Sequence, residues 1–343
     1  MKAAILVEQK MPLVLADIKI PKLQYGQILV KVKCSGICGS QIGEIDGLKG
    51  VDRFLPHLLG HEGAGIVLET GNGVTKVGKD DHVVMHWRKG YGVEACTPKY
   101  EWDGKTINAG WVTTFNEYAI VSENRVTQIT KDIDFEIAAL FGCAVTTGLG
   151  VINNNSHLKI GESIVVLGAG GVGLNVVQGA NMVSAYPIIA VDIYKNKLDL
   201  AKKFGATHIL NSRDANLKEE VFNILGGQPA DVVVDNTGIG SMIELAYELT
   251  SPRGRTILVG VPKKGENISI YSLPLHFGKI LTGSHGGESN PSEDIGRYSR
   301  LYQSGRLKLN GIITDCFSLD DINIAVEKMK KGQIAGRCII KME

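Results

Sequence analysis

No stretch of this 343-residue chain constrains its fold more than Ile164 to Asp192. Four apolar residues, Ile164 to Leu167, read as a buried parallel strand, and the glycine-rich run Gly168 to Gly173 opens directly into an apolar helical segment. Gly168 permits a tight turn, Gly170 admits a pyrophosphate to the backbone, and Gly173 lets the helix lie close to the sheet. Gly171 and Val172 fall between them at the helix N-terminus, which faces the anion. A second apolar run, Ile188 to Val191, ends on Asp192, about 20 residues beyond the last glycine. A carboxylate there bonds both ribose hydroxyls of NAD and repels a 2′-phosphate. The glycine pattern alone is weak in a chain with 42 glycines, and Asp192 alone also reads as a helix cap or a solvated acid. Strand, turn, helix and terminal acid in that order point to a dinucleotide.

The length suits about two domains. Lys plus Arg total 37 against 36 for Asp plus Glu, which leaves no basic field for nucleic acid or an anionic membrane and points to small partners. The apolar start, Met1 to Val7, is interrupted by Glu8, Gln9 and Lys10 before it could serve as a signal core, and no run approaches a membrane span. The expected compartment is the cytoplasm. Six cysteines, Cys34, Cys38, Cys96, Cys143, Cys316 and Cys338, are too few for a disulfide scaffold, and none forms a Cys-x-x-Cys pair. A zinc site would therefore be assembled from residues far apart in sequence.

From Lys2 to about Val126 short alternating runs predict half-buried antiparallel strands, with an irregular lobe or lid between Trp87 and Thr113. From about Asp134 the period becomes helical, and Asn153-Asn154-Asn155 marks a break. Strands are then expected at Ile164–Leu167, Ile188–Val191, His208–Leu210, Val232–Val234, Thr256–Val259 and Ile280–Thr282. Helices are expected between them at Gly171–Val183, Lys195–Phe204, Ala215–Leu225 and Ser241–Leu249. Such alternation builds a doubly wound parallel sheet, so the class is α/β. Two more helices, near Asp294–Ser304 and Leu319–Lys331, and a closing strand near Arg337–Lys341 complete the chain.

Three further clusters precede the glycine fingerprint: Cys34-Ser-Gly-Ile-Cys-Gly-Ser40, Gly60-His-Glu-Gly-Ala-Gly65 and Gly142-Cys-Ala-Val-Thr-Thr-Gly148. In this order the chain resembles the zinc-dependent medium-chain alcohol dehydrogenases, of the class III and polyol dehydrogenase kind, over nearly its whole length. The resemblance implies a Rossmann domain at 149–286, a GroES-like, mostly antiparallel β catalytic domain at 1–148, and a return to the latter at 287–343. It implies a catalytic zinc on Cys38, His61 and Cys143, a ligand set that leaves a fourth position open. Glu62 matches a glutamate beside the metal, and Ser40 matches the hydroxyl that passes the alcohol's proton to the nicotinamide ribose. Thr147 matches a position near the nicotinamide, Lys197 one near the adenosine ribose and Arg337 one near the pyrophosphate. Trp87 and Phe115 match positions lining the substrate channel. Each also has a plainer reading: buried small hydrophobe, structural histidine, turn serine, solvated cation or core ring.

The chain departs from the pattern in three places. Gln41 stands where many relatives orient the histidine ligand with an aspartate, and an amide can bond the ring without adding charge. Gly43 stands where some carry the histidine that ends the proton relay. The lobe has only Cys96 where relatives with a structural zinc carry four cysteines, so no second zinc is expected; Trp87, Tyr91, Tyr100, Trp102 and Trp111 are candidates to hold it instead. His86 and His285 are placed near the cleft, either touching substrate or filling a core hydrogen bond. The implied activity is NAD-linked oxidation of a primary or secondary alcohol, with polyols and sugar derivatives among the candidates, by a homo-oligomer, dimer or tetramer. A zinc-free quinone or enone reductase of the same superfamily and a non-catalytic NAD-binding protein are the alternatives.

Overall fold

The computed structural model describes residues 1–213 and 216–342. Two compact units divide the chain: Met1–Ala144 with Asn290–Ser304 and Leu309–Glu343, and Val145–Ser289 with Gly305–Lys308.

The first unit is built on the long strand Gln27–Ile37, which pairs antiparallel with Glu62–Thr70, with Tyr118–Ser122 and, through its far end, with the last strand Arg337–Lys341. Its alternation decides its faces. Ile28, Val30 and Val32 are buried in a core shared with Val67, Val83, Met85 and Phe115, while Lys31 and Lys33 are only half-covered. A second sheet carries, in order, Val14–Asp17, Lys2–Leu6, His57–Leu58, Lys105–Asn108 and Lys99–Trp102. Its last two strands correct the expectation of an irregular 87–113 lobe. They form a hairpin across Asp103-Gly104, with both turn residues at positive φ, and bury Tyr100 and Ile107 beside Ile5, Ile18 and Leu58. Two buried residues on two four-residue strands are too brief a pattern to stand out from the surrounding polar run.

The second unit holds a six-stranded parallel sheet. Its spatial order is His208–Asn211, Ile188–Asp192, Ile164–Leu167, Ala230–Asp235, Thr250–Leu258, Ile280–Gly283. Numbered within the unit this is 3-2-1-4-5-6, the doubly wound order in which ligands bind at the reversal between strands 1 and 4. Strand Ile164–Leu167 is wholly buried, as a run without polar interruption requires. Helices Gly171–Met182, Lys195–Lys203, Leu217–Ile224 and Gly240–Leu249 connect the strands. The expected start of the third helix at Ala215 lies outside the described residues. Asn153-Asn154-Asn155 does not break the chain: helix Ala144–Gly150 runs on into a π-helical turn, Val151–Ser156, and stops at His157 in a left-handed conformation. Among the described residues no helix is long and apolar enough to cross a membrane.

Candidate metal centre and dinucleotide cradle

Cys38 ends the buried strand Gln27–Ile37 and is the N-cap of the helix Gly39–Ile45. His61 follows Gly60, which sits at positive φ, and precedes the strand Glu62–Thr70. Ser35 and Thr114, both fully buried, bond one another at 2.6 Å. Both also lie within hydrogen-bond reach of the Glu62 carbonyl, at 3.1 and 3.3 Å, so whichever hydroxyl does not donate to the other fixes the backbone beside His61. Cys143 lies in the turn between helices Phe135–Leu140 and Ala144–Gly150.

These three places converge. The sulfurs of Cys38 and Cys143 and a ring nitrogen of His61 all lie within 4.8 Å of one another, the one such cluster among the described residues. Donors around a tetrahedral zinc, with bonds of about 2.3 Å to sulfur and about 2.0 Å to nitrogen, stand roughly 3.5–3.8 Å apart. The set therefore fits zinc with little adjustment. His61 Nε2 is buried and makes no hydrogen bond, as a nitrogen reserved for a metal would be. A hydrogen bond with the Cys143 thiol, with the His61 ring and the Arg337 guanidinium close by, outweighs burial and holds the Cys38 thiol well below its usual value. Thiolate is the form a metal takes.

Around the triad the chain supplies a second layer. The Gln41 amide, 1% exposed, accepts from the Cys38 backbone N–H at 2.9 Å and meets His61 Nδ1 at 2.5 Å. Glu62 is fully buried, pairs with the guanidinium of Arg337, and accepts from the Ala144 N–H at 3.4 Å. Gly36 is required here, because a Cβ would meet the Glu62 carboxylate at 2.7 Å and the Arg337 guanidinium at 3.0 Å. Arg337, expected toward the pyrophosphate, is thus found clasping Glu62. Trp87 is half-buried, with its ring centroid 6.3 Å from that of His61. Ser40 is half-buried on the first turn beyond Cys38.

Other sequence-derived positions fall elsewhere. Phe115, expected in a substrate channel, is fully buried in the β core, with its N–H bonded to the Leu59 carbonyl at 3.1 Å. Its segment is pinned at both its N–H and its carbonyl, and the ring packs into the β core. His86 is likewise a core residue: Nδ1 donates to the Arg88 carbonyl at 2.7 Å and Nε2 accepts from the Thr127 hydroxyl at 3.0 Å. Burial pushes it down to about 4. His285 is the N-cap of the short turn Gly286–Glu288.

In the second unit the glycine turn has the geometry a pyrophosphate needs. A Cβ on Gly173 would lie 2.0 Å from the Gly168 carbonyl oxygen, so the helix can start this close to the strand only with glycine there. Gly170 is the N-cap and faces open space, with the half-exposed Gly171 and Val172 opening the helix. Asp192 accepts from the Ala169 N–H at 2.9 Å and the Tyr194 N–H at 3.0 Å. An ionised carboxylate has about four acceptor sites, so two are left for ribose hydroxyls. Lys197 lies 4.9 Å from the Tyr194 ring centroid and Thr147 is buried in helix Ala144–Gly150.

Sequence reasoning missed Asn236. It follows strand Ala230–Asp235 at the point of strand-order reversal, and its Nδ2 donates to the Leu167 carbonyl at 3.3 Å while its buried Oδ1 makes no hydrogen bond. The signal was present: a polar run after the fourth apolar strand, opposite the fingerprint.

Comparison with known proteins agrees with this architecture. Residues 24–131 match the alcohol dehydrogenase GroES-like domain and residues 171–304 the zinc-binding dehydrogenase domain. The S-(hydroxymethyl)glutathione dehydrogenase of Paracoccus denitrificans is 31% identical, and a class-3 alcohol dehydrogenase of Cereibacter sphaeroides 30% identical, each over 97% of both chains. Among solved structures, benzyl alcohol dehydrogenase from Acinetobacter calcoaceticus superposes with a TM-score of 0.90 at 28% identity, covering 100% of this chain and 99% of that one. The alcohol dehydrogenase of Aeropyrum pernix gives 0.83 at 25% identity, covering 99% and 100%. With likeness of this extent in sequence and in fold, the chain belongs to the zinc-dependent medium-chain alcohol dehydrogenases.

Proposed function

We propose that this enzyme passes hydride between the carbinol carbon of a primary or secondary alcohol and NAD, with one zinc held by Cys38, His61 and Cys143. The convergence of those three donors carries the reading, because neither a zinc-free reductase nor an idle dinucleotide binder has a use for it. Bound there, zinc would act as a Lewis acid, lowering the pKa of a substrate hydroxyl and, in reverse, polarising a carbonyl. Ser40, two residues beyond Cys38, is the candidate to accept the alcohol's proton at its hydroxyl and hand it to the nicotinamide ribose. Beyond it Gly43 offers no base, so the proton leaves by water from the ribose or through another residue. Glu62 is held beside the ligands by its pairing with Arg337, and Trp87, its ring centroid 6.3 Å from that of His61, is the candidate to line the substrate side.

Gly168, Gly170, Gly171, Val172 and Gly173 would cradle the pyrophosphate, Asp192 the adenosine ribose with Lys197 beside it, and Thr147 the nicotinamide. The Asp192 carboxylate favours NAD over its 2′-phosphorylated form by charge alone. With only Cys96 in the lobe, we assign no structural zinc. The relatives' names supply S-(hydroxymethyl)glutathione and benzyl alcohol as first substrates to try, with polyols and sugar alcohols beside them. A homodimer is supported by the open sheet edge at Ile280–Gly283, where Ile280 and neighbouring Tyr271, Leu273 and Phe277 are exposed.

The test combines elemental analysis with an alcohol panel assayed with NAD and with NADP. One zinc per chain is expected, with NAD-linked oxidation that disappears on chelation and returns with zinc. Alcohol oxidation undiminished in Cys143→Ala would refute the reading.

A further inference from the structure

Gln41 reaches two groups at once, and the two fix its orientation. The Cys38 backbone N–H can only donate, so the side-chain oxygen must face it, as the 2.9 Å contact has it. The amide NH2 is then left facing His61 Nδ1 at 2.5 Å. An NH2 group also can only donate, so Nδ1 must offer a lone pair. In a neutral imidazole the proton then resides on Nε2. That is the nitrogen left buried and without a hydrogen bond at the metal centre.

A metal ligand needs the opposite arrangement. Nε2 must give up its proton to present a lone pair to zinc, and the neutral ring then carries its proton on Nδ1, against an amide that is also a donor. Turning the amide over satisfies Nδ1–H but sets NH2 against the Cys38 N–H. One donor is left unmatched in either orientation, within a site where Gln41 is 1% exposed and water cannot substitute.

We propose that Gln41 is a positioning residue that keeps the His61 proton on Nε2 in the metal-free protein, and so makes this centre hold zinc more weakly than an acceptor-only side chain of the same shape would allow. The inference rests on zinc binding at Cys38, His61 and Cys143. Its physical content is a mismatch of donors at one residue. Glutamate removes the mismatch without changing shape, though it also adds a negative charge: one carboxylate oxygen takes the Cys38 N–H and the other the His61 Nδ1–H.

Zinc affinity of the cofactor-free protein, measured by competition with a chromophoric chelator, tests this without reference to turnover. Gln41→Glu is expected to bind zinc about 10- to 100-fold more tightly than the parent, the usual range for a partner that orients a ligand histidine. Independently, nitrogen NMR of the metal-free parent labelled at histidine, with the His61 signal assigned by its loss in His61→Gln, should show the proton on Nε2. In Gln41→Glu it should move to Nδ1. Equal or weaker zinc binding by a folded Gln41→Glu overturns the proposal, and so does a parent ring protonated on Nδ1. A parent that takes up no zinc overturns the metal assignment itself, which separates the two failures.

Discussion

Glu123→Gln should loosen the lobe. The Glu123 carboxylate, 1% exposed, gathers three main-chain donors from two separate segments: Thr75 N–H at 2.6 Å, Lys76 N–H at 2.8 Å and Val93 N–H at 2.8 Å. The Thr75 hydroxyl adds a fourth at 3.3 Å. Thr75 and Lys76 bond one oxygen and Val93 the other, so a glutamine keeps the first pair at neutral strength and sets an NH2 against the Val93 N–H. Hydrogen bonds to a charged group contribute roughly 1.5–3 kcal/mol each and neutral ones about 1. Losing the Val93 bond and weakening the other two comes to about 3 kcal/mol. Amide exchange at Thr75, Lys76 and Val93 should therefore quicken on the order of 100-fold in the variant. The same bonds predict a pH dependence. Burial alone would raise this carboxyl, but the N–H groups of Thr75, Val93 and Lys76 and the Thr75 hydroxyl outweigh it and hold it below the ordinary value. The stability it supplies is then fully present above an unfolded-state pKa of about 4.3 and is lost as pH falls through the lower folded value. Glu123→Gln should lack that acid step. Exchange within threefold of the parent at all three amides, or an unchanged acid step, would refute the account.

Three further expectations can be checked with single variants. Asp192→Ser removes both the ribose bonds and the charge that repels a phosphate, so kcat/KM with NADP relative to NAD should rise by at least about tenfold; an unchanged ratio would contradict the assigned role. His86, neutral and pushed down to about 4 by burial, takes up a proton more readily unfolded than folded. Its contribution should therefore fall away as pH drops from about 6.5 toward 4, by about 3 kcal/mol in all, and denaturation of His86→Asn should be flatter across that window. Phe115→Ala should cost about 3–5 kcal/mol of stability as a core truncation, whereas a channel residue would change substrate preference at little cost in stability.

What the sequence made legible follows from how local each signal is. The run Ile164 to Leu167 and the glycines after it encode strand, turn and helix within ten residues, and the structure has each of them there. Cys38, His61 and Cys143 are far apart along the chain, and nothing in their spacing brings them together. The resemblance supplied what periodicity could not. Phe115 shows the converse error, since matching a position on a channel wall does not reveal which way a ring turns, and here it turns inward. The hairpin Lys99–Trp102 and Lys105–Asn108 was hidden by brevity. Glu123 was hidden by chemistry, because a glutamate that bonds backbone amides from residues 75 to 93 looks in sequence like any solvated acid.

The charges at the metal centre add up to an argument about what that second layer is for. Glu62 and Arg337, both nearly inaccessible, form a pair that burial alone would disfavour, and Gly36 is kept small to let them meet. Their charges cancel. With zinc bound, two thiolates would cancel the charge of the divalent cation as well, so the loaded centre would carry no net charge. A carboxylate at 41 would make that sum negative and strengthen the hold on a cation. It would also oppose any further negative charge brought by a substrate oxygen losing its proton. The chain thus has at position 41 a side chain that orients the histidine at some cost in metal affinity while leaving the centre electrically neutral. Measured together, tighter zinc binding and a less acidic substrate hydroxyl in Gln41→Glu would separate the two effects that this one amide balances.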